Sequence, residues 1–159
     1  MEIEEHVAFV IRKGLCMNIM AGICLLIQGI WDIRTRQIPM WISAGFGACS
    51  FLYSICCQRE WRSMCLALLP GLIFLVLAVI SRQAVGYGDG LLLCSLGMLY
   101  SLEELIGICV IAMGFALLTA LVLLGVFHKS GKYEIPFVPY LFLGWLLWYA
   151  TCLIESGQL

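Results

Sequence analysis

Charge is scarce in this chain. Only 12% of its 159 residues are charged, while 63% are hydrophobic and the mean hydropathy is +1.03. Soluble domains carry about 25% charged residues, so the composition excludes an ordinary soluble domain and predicts an integral membrane protein. The net charge of −1 leaves no basic surface for phosphate backbones, which excludes nucleic acid as the partner. The nine cysteines include no C-x-x-C pair, so their spacing predicts no metal site, and no cofactor is expected. Cys16, Cys24, Cys49, Cys65, Cys94, Cys109 and Cys152 lie within apolar runs, and Cys56 and Cys57 end one. They are expected to be small, buried, apolar side chains. The opening MEIEEHVAF is acidic and lacks the basic n-region of a secretory signal, so the first apolar stretch is expected to stay in the mature protein. There is no internal repeat and no low-complexity linker, and one domain is expected over 1–159.

What is abundant is the apolar run. A bilayer core of about 30 Å takes about 20 apolar residues in a helix. Six candidate segments fit, approximately 15–31, 41–57, 63–81, 90–101, 104–127 and 136–154, which predicts an all-α polytopic protein. The fourth is short and is expected to tilt, thin the bilayer or start deeper. Polar breaks separate the segments, with proline or glycine at several. Trp31, Trp41 and Trp61 sit at segment ends, as an interfacial belt requires. Residues 2–13 are expected to form a short interfacial helix. Asn18 and Gln28, polar within the first segment, are expected to bond between helices.

If all six segments cross, the loops after the first, third and fifth share one side. That side holds Arg34, Arg36, Arg82, Lys129 and Lys132, against Arg12, Lys13, Arg59 and Arg62 on the other. The positive-inside rule then favours the first side as cytoplasmic by a narrow margin.

The chain has only two aspartates, and this parity puts both on that side. Asp89, in VGYGDG, precedes an apolar helix and suits an N-cap. Gly86, Gly88 and Gly90 around it allow tight turns or close backbone approach. Asp32, in GIWDIRTRQIP, ends a helix, where the macrodipole disfavours negative charge. One reading gives it a salt bridge to Arg34 or Arg36; another makes it functional, as ionisable groups at membrane depth usually are. Two carboxyls held close cannot both ionise easily, so such a pair offers an acid and a base at once. No Ser–His or Cys–His pair competes, since His6 and His128 fall on opposite sides.

DIRTRQIP followed by GYGDG resembles the type IV prepilin peptidases, the bacterial GxGD aspartyl proteases. GDGLLLCSLG, down to Gly97, is similar to the start of that family's fourth helix, and IPFVPYLFLG, Ile135 to Gly144, to its Pro-Phe-Gly-Pro stretch. The resemblance covers nearly the whole chain. It implies Asp32 and Asp89 as the catalytic pair on the cytoplasmic side of the cell membrane. The substrate it implies is a prepilin or pseudopilin whose basic leader is cut after a glycine. Gly86, Gly88, Gly90, Arg34, Arg36, Pro136, Phe137 and Pro139 are the supporting or substrate-binding candidates. Arg34 and Arg36 suit lipid headgroups equally well, and Tyr87 suits a substrate groove or an interface. The chain departs from the family at Leu91, where a lysine is usual, at Val138, where the late motif has glycine, and at Met40, where asparagine is common. Nothing matches the cysteine-rich methyltransferase region of larger members, so peptidase activity alone is expected. Two other classes remain open: a small transporter or channel component with the aspartates as ion ligands, and a non-catalytic partner in pilus or secretion assembly.

Overall fold

A computed structural model describes residues 2–35, 38–81, 86–125 and 136–155, with the side chains of all these except 2–13, 15, 16, 153 and 155. The described residues are all-helical. Helix α1 spans Glu2–Thr35, α2 Met40–Cys56, α3 Trp61–Ala67, α4 Leu69–Ile80, α5 Tyr87–Gly97, α6 Leu102–Gly125 and α7 Val138–Glu155. Each predicted segment coincides with a helix, and the third divides into α3 and α4. Pro70 causes that division: it has no N–H to donate back to the preceding turn. Residues 2–13 do not form a separate helix, because they run continuously into α1.

Two stretches, Trp61–Ile80 and Leu102–Gly125, are long and apolar enough to cross a bilayer, each with a mean hydropathy of 2.7. Their outward surface is apolar: Ile73, Val76 and Val79 on α4, and Val110, Leu117 and Leu118 on α6, are exposed. A monomer in water rarely exposes apolar side chains on this scale; hydrocarbon accepts them. The cysteines correct an expectation. Among the described side chains only Cys109 is buried, while Cys49, Cys56, Cys57, Cys65 and Cys152 are exposed. An apolar run in a lipid-facing helix puts small residues on the outside as readily as on the inside.

Helix α5 is the inverse of α4 and α6. Its Leu92, Leu93, Ser95 and Leu96 are all buried. Its 11 residues rise only about 16 Å, yet it needs no greater length, because α2 and α4 flank it. In lipid, burying leucine gains little, so close packing decides which helices associate. Gly97 lies against the Ala67 carbonyl, Gly71 against the Cys94 backbone and Gly144 against the Ile108 carbonyl, each where a Cβ would collide. The C-terminal end of α5 is also pinned. Arg59 donates to the carbonyls of Met98, at 3.0 Å, and Tyr100, at 2.6 Å. The Tyr100 hydroxyl donates to Asn18 Oδ1 and accepts from Trp145 Nε1. A capping box between Ser101 and Glu104 then starts α6. These contacts hold α5 in register, and with it Asp89 at the opposite end.

Candidate active site

The end of α1 and the starts of α5 and α7 meet at the other end of the bundle. Both aspartates lie there, just outside the apolar segments 15–31 and 90–101. Asp32 is only 6% exposed. Its Oδ2 accepts the Val138 N–H at 3.2 Å, and the Phe137 N–H also favours its charge. The cause lies in how α7 begins. The Phe137 carbonyl accepts the N–H groups of both Tyr140 and Leu141, so the helix starts on Phe137. Pro139 has no N–H, which leaves Phe137 and Val138 as the donors of the first turn. Their partial positive charge supports the Asp32 carboxylate, which at the end of α1 faces an unfavourable macrodipole. Arg34, two residues on, is exposed and points to another face of α1. Arg36 lies outside the described residues, as do Arg82, His128, Lys129 and Lys132.

Asp89 is not the N-cap of α5. Gly86 holds that position, and Asp89 is the third residue of the helix, its N–H bonded to the Gly86 carbonyl at 3.2 Å. The Gly86 N–H in turn favours the Asp89 carboxylate. The helix starts three residues earlier than expected because Gly88 and Gly90 serve close approach within the helix. A Cβ at Gly88 would collide with Ile38, and one at Gly90 would lie 2.7 Å from Leu75 Cγ. At Gly86 a Cβ would crowd Asp89 Oδ2 at 3.1 Å. The glycines therefore seat the carboxyl against α4 and the chain that follows α1.

The two carboxyls sense each other. Burial pushes Asp89 up to about 7, with the negative charge of Asp32 adding to the rise and the Gly86 N–H opposing it. Burial also raises Asp32, against the Val138 and Phe137 N–H groups that hold it down. Burial thus pushes both carboxyls up, but at Asp32 two N–H groups of a helix terminus oppose the rise, whereas at Asp89 the neighbouring charge adds to it. Such a pair can take a proton at one oxygen and give one at another.

The remaining candidates divide by position. The Phe137 ring stacks on Phe74, with centroids 5.8 Å apart. The Pro139 backbone lies 3.6 Å from where a Gly29 side chain would begin, so α7 sits close on α1 immediately before Asp32. Pro136 precedes the helix and is half-buried, as is Tyr87. Gln28 bonds between helices as expected, its Oε1 accepting from Ser43 Oγ at 2.9 Å, whereas Asn18 accepts from Tyr100 in the connection between α5 and α6. The Val138 N–H was not legible as a partner for Asp32. The two prolines that bracket Phe137 and Val138 were the available signal, since they mark a helix start with two free donors.

The model of the type IV leader peptidase family matches residues 19–124, a span that includes both aspartates and most of α1 through α6. Among curated proteins and among solved structures, nothing matches the chain. With most of its length matched by that family model, the chain belongs to the type IV leader peptidase family.

Proposed function

We propose that this peptidase is an aspartic endopeptidase with Asp32 and Asp89 as its catalytic pair. It lies in the cell membrane with its six apolar segments crossing, and the pair faces the cytoplasm. Its substrate is a prepilin or pseudopilin, whose basic leader it removes after a glycine. The reading rests on one observation: two carboxyls 57 positions apart in the sequence lie at one end of the bundle, Asp32 buried and Asp89 half-buried with its Oδ1 buried, and the charge of Asp32 raises Asp89.

The roles follow from their partners. Asp32, held by the Phe137 and Val138 N–H groups, is the base. It takes a proton from water as the water oxygen attacks the peptide carbonyl carbon. Asp89, kept protonated, gives its proton to the carbonyl oxygen, and a neutral diol results. Collapse reverses the roles. Asp32 passes its proton to the departing nitrogen, the carbon–nitrogen bond breaks, and Asp89 recovers a proton from a diol hydroxyl. A substrate whose apolar helix lies in the bilayer presents the bond before that helix at this depth. A glycine there lets the extended backbone approach the pair. Leu91 stands where relatives usually carry lysine, so charge balance from the first helix turn of α5 falls to other residues. The chain is proposed to lack methyltransferase activity.

The test is co-expression with a pilin-like precursor, with leader removal read on a gel. Wild type cleaves; Asp32→Asn and Asp89→Asn accumulate and insert but leave the precursor intact. A wild type that leaves every pilin-like precursor uncut would overturn the proposal, and an ion flux dependent on both aspartates would replace it with transport.

A further inference from the structure

Gln28 is wholly buried one helical turn before Asp32, on the same face of α1. Its carboxamide is only half used. Oε1 accepts from Ser43 Oγ on α2, and the Ser43 carbonyl accepts from Ser95 Oγ on α5 at 3.1 Å. Nε2 has no hydrogen-bond partner among the described residues. One other buried side-chain atom shares that condition, Asp89 Oδ1. One is a donor with two hydrogens, and the other is an acceptor. Leaving either unmatched costs about 1–3 kcal/mol, and buried polar groups without a partner are rare. Both belong to helices that meet at Ser43 and at the aspartate pair.

We infer that Gln28 is a positioning residue for the aspartate pair. Its side-chain N–H holds the attacking water, which donates one hydrogen to Asp32 and the other to Asp89 Oδ1. The Ser43 bond occupies Oε1 and leaves Nε2 free to donate. One water then satisfies both orphaned atoms, and a polar thread runs from the pair through Gln28 and Ser43 to Ser95. This rests on the aspartic-peptidase reading for its chemistry, though not for its titration. The other titratable groups described at this end are Arg34, exposed on α1, Tyr87 on α5 and Tyr140 on α7. The first turns of α2 and the last of α4 present none.

The experiment uses the full chain in detergent with Gln28→Met, Gln28→Glu and Ser43→Ala. Infrared titration follows the Asp89 carboxyl stretch, identified by its loss in Asp89→Asn. Losing the donor raises the proton affinity of the pair, so Gln28→Met moves this titration up by about one pH unit, or tenfold. Cleavage falls about 10- to 100-fold in kcat with little change in KM. Gln28→Glu keeps a donor only while protonated, so it cleaves at low pH and fails as its own carboxyl ionises. Ser43→Ala retains the N–H and leaves the Asp89 titration in place. An Asp89 titration unmoved in Gln28→Met overturns the inference. If that variant does not accumulate, a Gln28→Glu pH profile matching wild type overturns it equally. If wild type cleaves nothing, the peptidase reading fails while the infrared titration still decides the place of Gln28.

Discussion

Asp89 shows how one carboxyl can oppose stability while serving chemistry. In an unfolded chain it titrates near the ordinary aspartate value, about 3.9; folded, it is pushed up to about 7. Between those values the native state binds more protons than the unfolded state. Stability therefore falls as pH rises through that window. Asp89→Asn removes the ionisable group and so removes this slope. The variant is expected to be more stable than wild type at pH 8, on the order of 2 kcal/mol, while cleaving nothing. Thermal melts at pH 5 and pH 8 check it: the gain appears at the higher pH and shrinks at the lower. The same proton sets the alkaline limb of wild-type cleavage. The rate is expected to decline above about pH 7 as Asp89 ionises, and a rate that keeps rising through pH 9 would mean that no protonated carboxyl takes part.

The helix termini carry arguments that no single side chain does. Val138→Pro deletes the N–H that Asp32 accepts, yet proline suits the first position of a helix and Phe137 before it is already outside α7. Asp32 then loses a charge-assisted bond, its pKa rises, and the acidic limb of cleavage moves to higher pH by about one unit. Val138→Gly keeps the N–H and the limb in place, and its cost is the cavity left by a fully buried side chain, about 1–3 kcal/mol. Glycine contacts give a second contrast. Gly97→Ala forces a methyl against the Ala67 carbonyl and destabilises by about 1–3 kcal/mol. Gly114→Ala, with nothing within 4 Å, gains helix propensity of about 1 kcal/mol. Melting temperatures of the two variants should move in opposite directions. Hydropathy made the helices legible, and Pro70 explains the division that it did not show. The start of α5 lies three residues before the expected one because glycine reads as a turn, whereas Gly88 and Gly90 lie inside α5 to admit Ile38 and Leu75. The partner of Asp32 stayed hidden for another reason: a backbone N–H belongs to every residue except proline, and only the fold aims it.

The bundle as a solid has a polar seam inside and an apolar coat outside, and the coat is where the membrane reading is most exposed to test. Asp32, Gln28, Ser43 and Ser95 are buried and Asp89 is half-buried, while Leu72, Ile73, Val76, Leu117, Leu118 and Leu121 face outward. Sequence could show that apolar side chains exceed what a small core can hold. It could not divide them between lipid and core, because α4 and α6 are apolar on every face. Burial now separates the faces of α6: Leu105, Ile108, Cys109 and Ala112 are buried, whereas Leu117 is 61% exposed near mid-helix. If α6 crosses a bilayer, Leu117→Arg places a charge in hydrocarbon and costs about 2.5–3.5 kcal/mol of insertion. Leu117→Ala, on the same outward face, costs little because no protein neighbour is lost. The expected result is less chain in the membrane fraction after alkaline extraction for the arginine variant, and wild-type recovery for the alanine. Equal recovery of all three would mean that this face meets water, and the cleavage depth argued for the aspartate pair would have to be abandoned with it.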